Sequence, residues 1–126
     1  MLLFPGEETA YRGKPGWKLR ETPAGTLAVC PGQCVREERP LACRIFPLVP
    51  VIRDGAVKVA ADQRAKAVCP LLRQGIRGMD PAFADAVREA GKILAEDPAE
   101  RVFLETLTEE QDELKSLRAR LGGSYV

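Results

Sequence analysis

The chain has 126 residues, of which 45% are hydrophobic and 29% charged, and this length and composition predict one globular domain. It contains no histidine, which excludes a His-based catalytic triad and a His-ligated catalytic zinc ion. No apolar run is long enough to span a membrane, and the opening segment is too short for a secretory signal, so we expect a cytoplasmic protein with no membrane partner.

Charge is unevenly distributed, although the net charge is only +1. Residues 1–79 carry 13 Lys and Arg against 7 Asp and Glu, whereas residues 80–126 carry 6 against 11. A basic half favours an anionic partner such as nucleic acid. A cluster of thiolates around a metal ion would also be negative, and nearby arginines would offset that charge.

The segment 1–24 is interrupted by prolines and glycines, which predicts an irregular lead-in with short elements. Within it, Trp17 and Leu19 alternate with Lys18 and Arg20, and a Pro-Ala-Gly turn precedes the run Thr-Leu-Ala-Val. This pattern predicts a β-hairpin that leads directly into Cys30.

Four cysteines, Cys30, Cys34, Cys43 and Cys69, lie in a Pro- and Arg-rich stretch with three, eight and 25 residues between successive members. Clustered thiolates need a cation to neutralise them, and in a reducing compartment they indicate a metal site more often than disulfides. We therefore predict that all four bind one metal centre. Two disulfides, or cysteines buried as small apolar residues, are the alternatives.

The identity of the metal stays open between zinc and iron. Zinc accepts four sulfurs in a closed tetrahedron, and an iron–sulfur cluster also takes four cysteines. Pro31 and Pro70 directly follow Cys30 and Cys69, a step typical of cluster-binding runs. Neither pair of cysteines has the two-residue spacing of a zinc ribbon.

A second hairpin is predicted between residues 48 and 59, where two apolar runs flank the turn Asp54-Gly55. Pro50 makes the first run an edge strand, because proline donates no ladder hydrogen bond. Residues 62–68 predict one or two helical turns that deliver Cys69 back toward the other three cysteines.

The last third of the chain is predicted to form helices that pack rather than carry a site. Asp80-Pro81 and Asp97-Pro98 each supply an N-cap followed by proline at the first helical position. Apolar residues at helical spacing follow: Phe83, Val87, Ala90 and Leu94, then Val102, Phe103 and Leu107. The run 108–111 has the pattern of a capping box and predicts a separate third helix with Leu114, Leu117 and Leu121, ended by Gly122-Gly123.

The run Arg-Pro-Leu-Ala-Cys-Arg-Ile-Phe-Pro-Leu at 39–48, preceded by C-x3-C and followed by Cys69-Pro70, resembles the YkgJ-type family of zinc- or iron-chelating domains over about residues 3–72. The resemblance implies chelation by the four cysteines. A flagellin lysine methylase is similar in its cysteine motif and is associated with an iron–sulfur cluster. An iron–sulfur-dependent redox or methyltransferase-type enzyme component is therefore the alternative.

The chain departs from the family pattern in its first cluster, where Val35 follows Cys34 and family members often carry adjacent cysteines. Relatives also often have a cysteine-rich segment before the position of residues 3–7. We therefore expect Met1 to be a shortened start, with ligands missing from the site.

Two arginines flank the third cysteine, and we predict that Arg39 and Arg44 donate hydrogen bonds that orient the metal site. Pairing with the neighbouring Glu37 and Glu38 at the surface is the alternative. Trp17, among basic residues, is a candidate stacking surface for single-stranded nucleic acid. A half-buried core position is favoured for it, because no nucleic-acid reader motif accompanies the charge.

These patterns predict an α+β fold in a single domain, residues 1–126. Its irregular, hairpin-containing cysteine-rich part covers residues 1–79, and its helical part covers residues 80–126. The predicted function is chelation of zinc or iron. Catalysis is not indicated apart from what the metal or the thiols would supply, and a nucleic-acid-binding adaptor is the third alternative.

Overall fold

The computed structural model describes residues 1–33, 35–66, 69–72 and 75–121, and the chain forms two compact units, residues 1–45 and 46–126. Each unit contains a two-stranded antiparallel sheet together with helices. The predicted α+β class is confirmed. Among the described helices, none is both long and apolar enough to cross a membrane.

The first unit is built around the predicted hairpin, which the structure confirms. Strands β1 (Lys18–Thr22) and β2 (Gly25–Val29) pair antiparallel from Lys18 opposite Val29 to Thr22 opposite Gly25. Residue Leu2 forms an isolated antiparallel bridge to Leu27 on the other side of β2. Two short helices complete the unit, α1 (Glu8–Tyr11) and α2 (Leu41–Ile45), with a single 3₁₀ turn at Arg36–Glu38.

A small apolar cluster holds the first unit together. Leu3, Tyr11 and Ala28 are buried, and the partly buried Trp17 and Leu19 pack against them. The rings of Tyr11 and Trp17 are tilted with centroids 4.6 Å apart, a favourable aromatic geometry. Trp17 thus occupies the half-buried core position that the sequence favoured.

The second unit begins with the other predicted hairpin, which is also confirmed. Strands β3 (Leu48–Arg53) and β4 (Ala56–Ala61) pair antiparallel, with Arg53 opposite Ala56. Asp54 and Gly55 in the turn have φ angles of 53° and 79°. Two successive left-handed residues match the twist of the flanking strands, which explains the Asp-Gly sequence.

Two long helices pack on this hairpin, α3 (Pro81–Leu94) on both strands and α4 (Pro98–Arg120) on β3. Both predicted starts are confirmed: Asp80 accepts a hydrogen bond from the backbone N–H of Ala82, and Asp97 accepts from those of Ala99 and Glu100. Because this hairpin packs on α3 and α4, it belongs with them to the unit of residues 46–126.

The predicted break at Thr108 is wrong, because α4 runs without interruption through it. The Thr108 hydroxyl donates to the carbonyl of Leu104 at 2.8 Å and accepts the backbone N–H of Ile52 at 3.0 Å, so it joins the helix to β3 instead of capping a new helix. The buried apolar face of α4 also differs from the predicted one. Leu104 is fully buried, whereas Val102 is 63% exposed.

Gly91 marks the closest approach of α3 to the hairpin. A Cβ atom at this position would lie 2.8 Å from Pro50 Cβ and 2.8 Å from Val57 Cγ1, closer than real Cβ contacts. Glycine lowers the helix propensity at this position, but its lack of a side chain allows α3 to pack this closely on the hairpin.

We expect Thr108→Val to lower the free energy of unfolding by about 1–3 kcal/mol, because the Ile52 N–H loses its acceptor while the side-chain volume is kept. Chemical denaturation measures the change. Thr106→Val is the matched control, since Thr106 makes the same hydroxyl bond to the carbonyl four residues earlier but is exposed. Equal losses for the two variants would contradict the tertiary role of Thr108.

We expect Gly91→Ala to lower the free energy of unfolding by about 1–2 kcal/mol, because overpacking outweighs the gain in helix propensity. Combining it with Val57→Ala removes one of the two opposing atoms, so the double variant should lose less than the sum of the single losses. A higher melting temperature for Gly91→Ala would show that the helix is not packed this closely.

Candidate functional site

Cys30 directly follows β2, at the point where the first hairpin ends, and its side chain is exposed. After β2, the chain passes close to Gly16: a Cβ atom added to Gly16 would lie 2.9 Å from Pro31 Cβ. Gly16 also has a φ of 83°, which other residues rarely adopt. The close approach of Gly16 and Pro31 therefore sets the path of the chain after Cys30.

Cys43 lies in α2 and is half-buried. The start of this helix is held by Glu7, whose Oε2 accepts the backbone N–H of Leu41 at 2.9 Å while Oε1 accepts that of Phe4 at 2.7 Å. Pro40, immediately before the helix, is fully buried. One carboxylate thus anchors the Cys43 segment to the N-terminal segment of the same unit.

A second bond from α1 supports the same segment. The Tyr11 hydroxyl donates to the carbonyl of Glu38 at 2.6 Å, and Lys14 Nζ lies 3.8 Å from Glu38 Oε2. Sequence reasoning missed Glu7 and Tyr11 as supports of the cysteine-bearing segment. Their partners lie 34 and 27 residues away, so no local pattern could have found them.

Cys69 belongs to the second unit and is half-buried. Its backbone N–H donates to the carbonyl of Ala65 at 2.8 Å, and Ala65 in turn donates to Asp62 at 3.0 Å. The predicted helical turns appear as hydrogen-bonded turns over residues 63–66, while Ala67 and Val68 lie outside the described residues. Ala65 is fully buried, so the segment leading to Cys69 is fixed from its N-terminal side.

A buried carboxylate organises that turn. Asp62 is 4% exposed, and its Oδ1 accepts from the backbone N–H and the Nε of Arg64 and from Gln111 Nε2 at 2.9–3.1 Å. Asp62 Oδ2 accepts from Arg64 Nη2 at 2.8 Å. Gln111 Oε1 accepts the backbone N–H of Gln63, and Arg118 donates to the side-chain and backbone oxygens of Gln63. Helix α4 thereby holds the turn from two positions, Gln111 and Arg118.

Electrostatics at Asp62 are set by two opposing effects. Burial raises the pKa of this carboxyl, because desolvation disfavours the charged form. The hydrogen bonds from Arg64 and Gln111 favour the carboxylate more strongly, so the pKa of Asp62 lies below its ordinary range. The group is therefore ionised near neutral pH.

The two arginines predicted to orient the metal site, Arg39 and Arg44, both have exposed side chains. Arg39 follows the 3₁₀ turn and Arg44 lies in the last turn of α2. In the part of the chain that the structure describes, neither forms an ion pair with Glu37 or Glu38. Their role toward a metal stays a prediction.

We expect Asp62→Asn to lower the free energy of unfolding by about 2–3 kcal/mol at neutral pH, because Arg64 and Gln111 lose a buried charged acceptor. A group with a depressed pKa stabilises the fold above its unfolded pKa of about 4 and loses that contribution as the pH falls through the folded pKa. Stability of the parent protein should therefore fall in acid more steeply than that of the variant.

The control for this experiment is Asp112→Asn. Asp112 also has a lowered pKa, through its hydrogen bonds with Arg53, but its side chain is 51% exposed. Exposed pairs contribute about 1 kcal/mol or less, so this variant should change the pH dependence little. A parent and an Asp62→Asn protein with the same pH profile would contradict the assignment.

The sequence-predicted ligands fall in both units: Cys30, Cys34 and Cys43 in the first and Cys69 in the second. Cys34 lies outside the described residues. Among the residues that are described, no three or more Cys, Asp or Glu side chains form a group that could hold a metal ion. No family model, no curated protein and no solved structure matches the chain.

Proposed function

We propose that this protein chelates one metal centre, zinc or iron, through Cys30, Cys34, Cys43 and Cys69. The observation that carries the proposal is the combination of three of these cysteines with a very small apolar core in one 45-residue unit. Thiol chemistry supports it, because the soft thiolate is the ligand that zinc and iron–sulfur clusters share.

The size of the first unit supports a bound metal. Within its described part, the buried hydrophobic residues are Leu3, Phe4, Tyr11, Ala28 and Ile45. Units of about 40–70 residues rarely obtain enough stability from such a core, and they usually depend on disulfides, a metal ion or association. In a reducing cytoplasm, which we propose as the compartment, a metal is the available crosslink.

The anchoring of the cysteine segments also supports chelation. Glu7 and Tyr11 fix the chain on the N-terminal side of Cys43, and the hairpin fixes it before Cys30. Ligands on segments held by their own hydrogen bonds lose less conformational entropy when a metal binds.

Charge around the cysteines is compatible with bound thiolates. Residues 30–69 carry seven Lys and Arg against four Asp and Glu. Arg39 and Arg44 flank the third cysteine, and their exposed guanidinium groups are the nearest cations in sequence. A four-sulfur zinc site would supply a structural crosslink, whereas an iron–sulfur cluster would supply electron transfer.

The resemblance of residues 39–48 to YkgJ-type chelating domains points in the same direction. The same resemblance keeps an iron–sulfur redox or methyltransferase-type component as the second candidate. The Cys30-Pro31 and Cys69-Pro70 steps favour that candidate, since cluster-binding runs often contain them.

The test is elemental analysis and visible absorption of protein purified without oxygen. We expect about one metal centre per chain. A colourless protein with zinc supports the structural site, and a brown protein with iron and sulfide supports the redox component. Protein that binds neither metal, even after refolding with zinc or iron under reducing conditions, overturns the proposal.

We further expect Cys43→Ser to lose the metal and to lower the melting temperature by about 10 °C or more, because ligation energy is partly folding energy. Gln33→Ser is the control, because Gln33 is an exposed residue of the same unit with no proposed role as a ligand, and it should change neither quantity. Loss of metal at unchanged melting temperature would show that the site is not structural.

A further inference from the structure

A groove in the second unit is lined by positive charge. It has a volume of about 490 Å³ and lies between the β3–β4 turn, the second half of α3 and the first turn of α4. Its charged lining residues are Lys58, Arg88, Lys92 and Arg101, opposed by Glu96. The volume falls within the range of small-ligand sites, about 300–1,000 Å³.

The concentration of positive charge is unusual for this part of the chain. Residues 80–126 contain 11 acidic and only 6 basic residues. Three of those six bases, Arg88, Lys92 and Arg101, line this one groove. Lys58 joins them from β4, and no ion pair to Lys58 occurs among the residues that the structure describes.

The three cations on α3 and α4 form only weak, exposed ion pairs. Each pairs with a carboxylate one turn away on its own helix: Arg88 with Asp85 at 2.7 Å, Lys92 with Glu89 at 3.2 Å and Arg101 with Glu105 at 3.6 Å. The side chains in these pairs are 38–67% exposed. Such pairs contribute about 1 kcal/mol or less each, so an anion entering the groove can replace the carboxylates at little cost.

The backbone around the groove is fixed, which favours a built site over a flexible surface. The contact of Gly91 with Pro50 and Val57 holds α3 against the hairpin, and Arg88 and Lys92 flank that contact. Arg101 reaches the turn, where its Nη2 donates to the carbonyl of Gly55 at 3.4 Å. The cations are therefore presented from three elements whose positions are set by packing.

We propose that this groove binds a phosphate-bearing polyanion of low molecular mass, a nucleotide or an inorganic oligophosphate. Two guanidinium groups and two ammonium groups suit adjacent phosphates, since arginine pairs with phosphate oxygens through two parallel hydrogen bonds and lysine adds point charges. Among the described residues no cysteine lines the groove, so the proposal does not rest on metal binding.

The test is titration of the full chain with inorganic tripolyphosphate at low ionic strength, followed by amide chemical shifts. We expect saturable shifts at residues 55–58 and 88–96, with a dissociation constant of about 1 mM or lower. A parallel titration with ATP distinguishes the sources: tighter ATP binding identifies a nucleotide, and equal binding identifies the oligophosphate.

The variant Arg88→Gln/Lys92→Gln should weaken binding at least tenfold, because charge-assisted bonds to phosphate are lost. Lys115→Gln is the control, an exposed lysine on α4 that does not line the groove. Equal weakening in the control, absence of saturation, or binding of a single-stranded oligonucleotide without binding of tripolyphosphate would each overturn the proposal. Amide spectra of the two variants check that each retains the fold.

Discussion

The second unit depends on one buried carboxylate. Asp62 follows β4, accepts four hydrogen bonds from Arg64 and Gln111, and sits where the hairpin, the turn toward Cys69 and helix α4 meet. Burying a carboxylate is costly unless its oxygen atoms accept hydrogen bonds, and here Arg64 and Gln111 donate those bonds to Asp62. The segment before Cys69 is therefore held by polar contacts to α4 rather than by an extended apolar core.

The elements predicted correctly are those whose sequence pattern spans only a few neighbouring residues. The Asp54-Gly55 turn and the N-caps Asp80 and Asp97 act on their immediate neighbours, so their sequence pattern is sufficient. Thr108 shows where such reasoning fails. Its local sequence is that of a capping box, but its hydroxyl oxygen accepts the backbone N–H of Ile52, 56 residues away, and the helix continues.

The candidate site was predictable only as a set of residues. The four thiols can be identified from residue type alone, and the hairpin before Cys30 can be predicted from a local pattern. The supports of Cys43 and Cys69 come from Glu7, Tyr11 and Gln111, whose bonds span 27 to 49 residues. The basic groove was hidden for the same reason, since its cations come from β4, α3 and α4, and three of the four lie in the mostly acidic segment 80–126.

The bond between Thr108 and Ile52 also occupies the edge of β3 that faces away from β4. In an antiparallel hairpin, the backbone groups of alternate residues point away from the partner strand, and in β3 this set includes Pro50 and Ile52. Pro50 has no N–H to offer, and the N–H of Ile52 is already given to Thr108. Edges of two-stranded sheets are templates for pairing with another chain. The edge of β3 thus lacks the donors that intermolecular strand addition and aggregation would require at these two positions.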